Sequence, residues 1–343
     1  MAPKDQINFI PRIDLKAVQD AYDLIKNDIV HTDTVSSPAL NKWLGHKVYF
    51  KLENQQKTGS FKFRGALYSV LKLKDNPPER IVTYGTGNHA VGLAWAASRF
   101  LNISITAFLT DFTSTIKKKL ATEYGANVIL TKTREEAEQK AKSASKIPGT
   151  VLLPPSDGDD IIAGAGTVML EVLNEKIGHI DAVFLPIGGG SIASGTVIVA
   201  KALSPETKLY GAEPKSGNDA AISYRTKKIF RFTKSPETLA DGAKTPGISE
   251  RVFQYIQDLD DIYEISEREI GYWTVWLTKI FNQKFEPTAS LSMSAAFRWL
   301  KEQHESKNIL VIITGQNINE DVYDKLLAEN YLDIKPNNFE CGE

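Results

Sequence analysis

The segment AVFLPIGGGSIASG, from Ala182 to Gly195, holds a complete strand-to-helix junction. Ala182–Pro186 is a short, wholly apolar run, the mark of a strand buried on both faces. Gly188, Gly189 and Gly190 then break the run, and Ser191 opens an apolar helical period, Ile192–Leu203. A second strand-like run, Leu209–Glu213, follows at once. Strand, glycine turn, helix and strand make a βαβ unit, and such units build parallel sheets covered by helices.

The same rhythm extends outward in both directions. Strand-like runs stand at Val48–Leu52, Ile81–Tyr84, Ile103–Leu109, Val128–Leu130, Val151–Leu153 and Ile309–Thr314. Helical periods at Asn88–Phe100, Thr133–Ser145 and Asp160–Leu173 separate them, and an opening helix aligns Leu15, Val18, Tyr22 and Ile25 on one face. Pro77-Pro78 and Pro154-Pro155 bracket a block of about 75 residues. The chain is therefore expected to be α/β, with two lobes that are each an open, mostly parallel twisted sheet flanked by helices. Residues 1–75 and 158–343 are assigned to a large lobe, and 76–157 to a smaller, mobile one. Ligands in such sheets sit outside the carboxyl ends of the strands, so the chemistry is sought at the strand-to-helix junctions.

Composition narrows the class. Of 343 residues, 41 are basic and 42 acidic, so no electrostatic footprint favours nucleic acid or an anionic membrane. The run Lys117-Lys118-Lys119 reads as the solvated side of an amphipathic helix. The lone cysteine, Cys341, can form no internal disulfide, and the five histidines lack zinc-binding spacing. Met1–Asp5 lacks the apolar core of a signal peptide, and no apolar run is long enough to span a membrane. The expected location is cytoplasmic. The tail Lys335–Glu343 reads as disordered.

Five junctions carry chemistry. In Thr58–Ala66, Lys62 starts a helix between Phe61 and Phe63. The positive helix end and the apolar neighbours both disfavour an ammonium, so they favour a free amine able to attack an aldehyde, although a surface lysine fits the same pattern. In Tyr84-Gly85-Thr86-Gly87-Asn88-His89, glycines bare the backbone N–H groups to a carboxylate or phosphate. A capped tight turn with a structural His89 is the plainer reading. Gly188, Gly189, Gly190 and Ser191 form an anion nest, yet Gly188, Gly190 and Ala193 followed by Glu213 also satisfy a dinucleotide fingerprint. Thr314, in Ile312–Asn317, offers either a hydroxyl donor to an unprotonated ring nitrogen or a helix cap. Glu213, Gly217 and Asp219 provide two carboxylates and a carbonyl suited to Mg²⁺, Ca²⁺ or Mn²⁺, or they are paired acids without metal.

Taken in order, these junctions resemble the fold-type II pyridoxal-phosphate enzymes, in their serine/threonine dehydratase and serine racemase branch. The likeness extends from about Ile13 to Glu320. It implies that Lys62 holds pyridoxal 5′-phosphate as an imine with Phe61 beside it. Asn88 would meet the cofactor's 3′-oxygen, and Gly188–Ser191 would cup the phosphate. The resemblance also sets Thr314 at the ring nitrogen and Glu286, of Glu286-Pro287-Thr288, beside the ring. Gly85, Thr86, Gly87, Asn88 and His89 would receive the substrate carboxylate, and Thr86 stands where racemases keep a second acid/base. Glu237–Gly242 matches a further segment near the active site. Glu213, Gly217 and Asp219 match the divalent-cation site of some members, which gives Glu213 a role other than binding ribose.

Gly85 and Thr86 replace serines of the family pattern, Ser191 replaces a glycine, and Gln316 also departs from it. These changes suggest a substrate somewhat unlike plain serine or threonine. The activity implied is deaminating β-elimination from a small hydroxy-amino acid to a keto acid and ammonia. Racemisation of serine or aspartate is the near alternative; a nicotinamide dehydrogenase and a non-catalytic amino-acid sensor are distant ones. The resemblance further suggests a homodimer. With so little chain after the core, no regulatory domain is expected.

Overall fold

Ten strands form among the described residues, which are 12–175 and 177–334 of the computed structural model. They are β1 (Thr34–Ser36), β2 (Lys47–Leu52), β3 (Arg80–Gly85), β4 (Ile105–Thr110), β5 (Asn127–Thr131), β6 (Thr150–Leu152), β7 (Ala182–Pro186), β8 (Lys208–Pro214), β9 (Asp261–Ile265) and β10 (Asn308–Ile313). One sheet has six strands in the order β1-β2-β10-β7-β8-β9, and the other has four in the order β5-β4-β3-β6. Only the β1–β2 pair is antiparallel. Helices flank both sheets, so the α/β architecture with two mostly parallel sheets stands as expected. Met1–Asp5, Cys341 and Lys335–Glu343 lie outside the described residues. No described helix is long and apolar enough to cross a membrane.

Burial follows strand position. Every residue of the central β7 is buried, whereas the edge strand β5 exposes Asn127, Ile129 and Leu130. A strand covered by helices on both faces needs apolar side chains throughout; an edge strand does not. The carboxyl ends of β3, β7 and β10 open into Gly85–Asn88, Ile187–Ser191 and Thr314–Asn317. With Glu213 at the carboxyl end of β8, four of the five expected junctions thus lie at strand ends.

The helix Asp159–Asn174 fixes the spacing of the other chemistry-bearing helices. It packs on Lys62–Lys72 and on Ser191–Leu203. Both crossings run through glycine: a Cβ at Gly164 would meet Gly65 Cα at 2.5 Å, and a Cβ at Gly195 would meet Gly166 N at 2.4 Å. Below this layer lies a buried charge cluster. Arg64 pairs with Glu53 and with Glu171, each at 2.7 Å, and Lys51 pairs with Glu171 at 3.0 Å. Because Arg64 stands two residues after Lys62, the cluster anchors the helix that presents the lysine.

Candidate active site

One pocket gathers Phe61, Lys62, Thr86, Asn88, His89, Gly188, Gly189, Gly190, Ser191, Glu286 and Thr314. Residues widely separated in sequence thus share one wall. Lys62 is the first residue of its helix, and its Nζ donates to the Pro155 carbonyl at 2.7 Å and to Ser191 Oγ at 2.9 Å. Burial lowers the Lys62 pKa to about 7, the Arg134 guanidinium adds to the fall, and the Glu286 carboxylate opposes it. Near neutral pH much of this lysine is therefore an uncharged amine. Its nitrogen sits 4.9 Å from the centre of the Phe61 ring.

The glycine bend is crowded for a reason. A Cβ at Gly189 would fall 2.3 Å from Ser156 Oγ, and Gly190 adopts φ +82°, which favours glycine. Ser191 then starts its helix, so free N–H groups at a positive helix end lie beside the Lys62 nitrogen. Thr314 completes the opposite side. Its carbonyl accepts from Phe61 N–H at 3.1 Å, while its buried Oγ1 has no hydrogen-bond partner.

Asn88 is held at both ends of its amide. Its Nδ2 donates to Glu286 Oε1 and Oε2 at 3.1 and 3.0 Å, and its Oδ1 accepts from Asn317 Nδ2 at 2.8 Å. Gly85 and Gly87, at φ +144° and +111°, shape the loop around Thr86 rather than line the pocket. His89 Nε2 sits 3.2 Å from the Leu153 carbonyl. Burial lowers the His89 pKa to about 3, helped by Lys62, so the ring is neutral at physiological pH.

Glu213, Gly217 and Asp219 lie apart from this pocket, at the carboxyl end of β8. The Glu213 oxygens accept from Ala220 and Ala221 N–H, at 3.3 and 2.8 Å. Both buried oxygens of Asp219 lack a partner. Burial raises the Asp219 pKa to about 7, and burial together with Asp219 drives Glu213 well above the carboxylate range. The unpartnered Asp219 oxygens, with the Glu213 carboxylate facing them, are hard oxygen donors of the kind a divalent cation takes. The dinucleotide fingerprint also finds no support here: Glu213 accepts from the N–H groups that open the following helix, Asp219–Thr226.

Two residues escaped the sequence reading. Lys117, expected on a solvated face, is fully buried and pairs with Asp241 at 2.8 Å and Glu286 at 3.0 Å. In sequence it is one of three consecutive lysines, and only the packing of its helix distinguishes it. Arg134 begins the polar helix Arg134–Ala144 yet reaches the pocket wall, with Nη1 buried and without a partner. No local pattern marks it.

The lysine, the anion nest and the orphan threonine hydroxyl suit an aldehyde cofactor that carries a phosphate and a ring nitrogen. The chain belongs to the family of pyridoxal-phosphate dependent enzymes, whose model matches residues 25–315. Pyridoxal phosphate is thus its cofactor, and the dehydrogenase alternative falls. Among relatives, L-threo-3-hydroxyaspartate ammonia-lyase of Saccharomyces cerevisiae is 36% identical over 314 residues, covering 91% of this chain and 95% of that protein. Serine racemase of Schizosaccharomyces pombe is 33% identical, covering 91% and 96%. Among solved structures, a threonine deaminase from T.th. superimposes with a TM-score of 0.84 at 31% identity, covering 90% and 99%. Maize serine racemase reaches 0.86 at 29% identity, covering 92% and 97%.

Proposed function

We propose that this enzyme is an ammonia-lyase that eliminates the β-hydroxyl of a hydroxy-amino acid, and that its preferred substrate carries a second carboxylate, as 3-hydroxyaspartate does. Serine and threonine, suggested by the sequence, become secondary substrates. The observation that carries this reading is Arg134. A buried guanidinium nitrogen without a partner is costly, and a carboxylate satisfies it with paired, charge-assisted bonds. Ammonia-lyases of hydroxyaspartate among the relatives support the same choice.

In this scheme Lys62 holds the cofactor, and its Nζ, once released, takes the α-proton. When bound, pyridoxal phosphate supplies the electron sink. Gly188–Ser191 grip the phosphate, and Asn88 meets the 3′-oxygen. A neutral Thr314 hydroxyl at the ring nitrogen limits negative charge in the ring, which favours prompt loss of the β-hydroxyl. The Gly85–His89 loop takes the α-carboxylate, and Arg134 the distal one. Glu213, Asp219 and the Gly217 carbonyl would hold a divalent cation outside the reaction. The same reading has residues 76–157 moving as a lobe, within a cytoplasmic homodimer.

The test compares kcat/KM for threo-3-hydroxyaspartate, serine and threonine, in the wild type and in Arg134→Gln. The loss should be about 100-fold or more for hydroxyaspartate, since a charged hydrogen-bonded pair is removed, and under about 5-fold for serine. Equal losses on all three substrates would refute the assignment of Arg134. Serine racemase relatives and the pocket position of Thr86 support a second reading, racemisation. Chiral analysis of recovered amino acid beside keto-acid yield separates the two.

A further inference from the structure

Lys117 ties three distant parts of the chain together. Its helix, Thr115–Glu123, follows β4, and its Nζ lies 2.9 and 2.8 Å from the Asp241 oxygens and 3.0 Å from Glu286 Oε2. The helix start is itself held from outside. Asn319 Oδ1 accepts from Thr115 Oγ1 at 2.9 Å and from Ile116 N–H at 3.0 Å. The lysine stem also fills the space beside the substrate loop, because a Cβ at Gly87 would fall 2.7 Å from Lys117 Cβ. The ammonium therefore has little room to swing away.

Its partner Glu286 is almost fully buried and accepts from Asn88 Nδ2. Asn88 can present only one orientation while Glu286 takes its N–H and Asn317 gives it one. That arrangement requires Glu286 to be an acceptor on both oxygens. A buried carboxylate without a cation takes up a proton instead, which would turn one of its oxygens into a donor and release the amide. The charged groups facing Glu286 are Lys117, Asp241 and Lys62. Asp241 repels a charge on Glu286, and Lys62 is wanted as a free amine. Only Lys117 of these three is positioned to hold Glu286 ionised.

We propose that Lys117 is a positioning residue: it keeps Glu286 an ionised acceptor and so locks Asn88 and its loop in the orientation that meets the cofactor. Burial raises the Glu286 pKa, Lys117 opposes that rise, and Asp241 adds to it. Removal of the ammonium therefore moves Glu286 to protonate at higher pH. The inference rests on the family's cofactor and not on the proposed substrate, so its test contains no substrate.

The experiment measures PLP affinity and visible absorbance of the refolded or purified enzyme against pH, for wild type, Lys117→Met, Lys117→Arg, Glu286→Gln and the Lys117→Met/Glu286→Gln double variant. In Lys117→Met the pH at which affinity falls to half on acidification should rise by about one unit or more, and Lys117→Arg should restore it to within about half a unit. In the Glu286→Gln background, Lys117→Met should add no further shift. Circular dichroism checks the fold. Should Lys117→Met fail to fold, Lys117→Met/Asp241→Asn removes one charge of each sign and must still show an upward shift, smaller than that of Lys117→Met because the repulsion from Asp241 is gone as well. A midpoint unchanged from wild type, or an equal shift without the Glu286 carboxylate, overturns the proposal.

Discussion

Gly164 lies so close to Gly65 that a Cβ on Gly164 would come within 2.5 Å of the Gly65 Cα and 2.7 Å of its nitrogen. The clash would be with backbone, which cannot rotate aside. The crossing therefore sets how deeply the helix that begins at Lys62 seats against Asp159–Asn174. The helix that begins at Ser191 is seated on the same element through Gly166 and Gly195. Lysine and phosphate nest are thus spaced by packing rather than by a direct tie.

Gly164→Ala should separate these helices. Overpacking of a tight interior costs about 1–3 kcal/mol, and more where backbone must move. The expected outcome is lower stability in urea together with PLP affinity reduced by about tenfold or more, because the Lys62 amine shifts relative to Gly188–Ser191. Gly178→Ala serves as a control, since no atom lies near a Cβ there, although its φ of +95° carries local strain. If Gly164→Ala bound PLP as tightly as wild type, the spacing argument would fail.

Arg64→Leu tests the charge cluster. Without the guanidinium, Glu171 stays buried with Lys51 as its remaining close cation, and Glu53 loses its ion-pair partner. Breaking such a pair costs about 3–5 kcal/mol. The sign of the pH dependence should also reverse. In the wild type, burial works to raise the Glu171 pKa but the bonds from Arg64 outweigh it, so it lies below the usual range. That contribution to stability is present above the unfolded pKa and is lost as the pH falls. In the variant burial should leave Glu171 preferring the proton, so denaturation midpoints should fall as the pH rises from about 5 to 8. A deficit that does not change with pH would mean lost packing alone.

Divalent metal should stabilise the fold through Glu213 and Asp219. With ligand at 100 times its Kd, the gain is about 2.7 kcal/mol, or roughly 4 °C in Tm for a chain of this size. Thermal unfolding with EDTA, Mg²⁺, Ca²⁺ and Mn²⁺ measures it. Asp219→Asn keeps the shape and should lose the increment; an equal rise in that variant would place the ion elsewhere.

Much of this fold was readable because buried strands and amphipathic helices leave periodic traces. β7 and the helix Asn88–Phe100 fall on the expected residues, and most other boundaries differ by one or two. Two strands were missed for a physical reason. β1 is three half-buried residues at a sheet edge, and β9, Asp-Ile-Tyr-Glu-Ile, is also an edge strand with polar positions facing outward. The pocket's glycine and lysine motifs were visible because they are local. Arg134 and Lys117 were not, since each acts through a tertiary approach that its own polar helix does not announce.

The Lys62 amine gives the sharpest pH prediction. An ordinary lysine has a pKa of ~10.4, so its free-amine fraction grows about tenfold per unit from pH 6 to 9. In this pocket the value is lowered to about 7, by burial first and by Arg134 next. Covalent uptake of PLP by the apoenzyme, followed by its visible absorbance, should therefore rise through about pH 7 and level off by about pH 8–9. Arg134→Gln removes a neighbouring positive charge, which makes the ammonium easier to keep, so its midpoint should move upward. A rate that keeps climbing past pH 9 in the wild type would show that the lysine is ordinary, and an Arg134→Gln midpoint that moves downward would show that the guanidinium does not act on it.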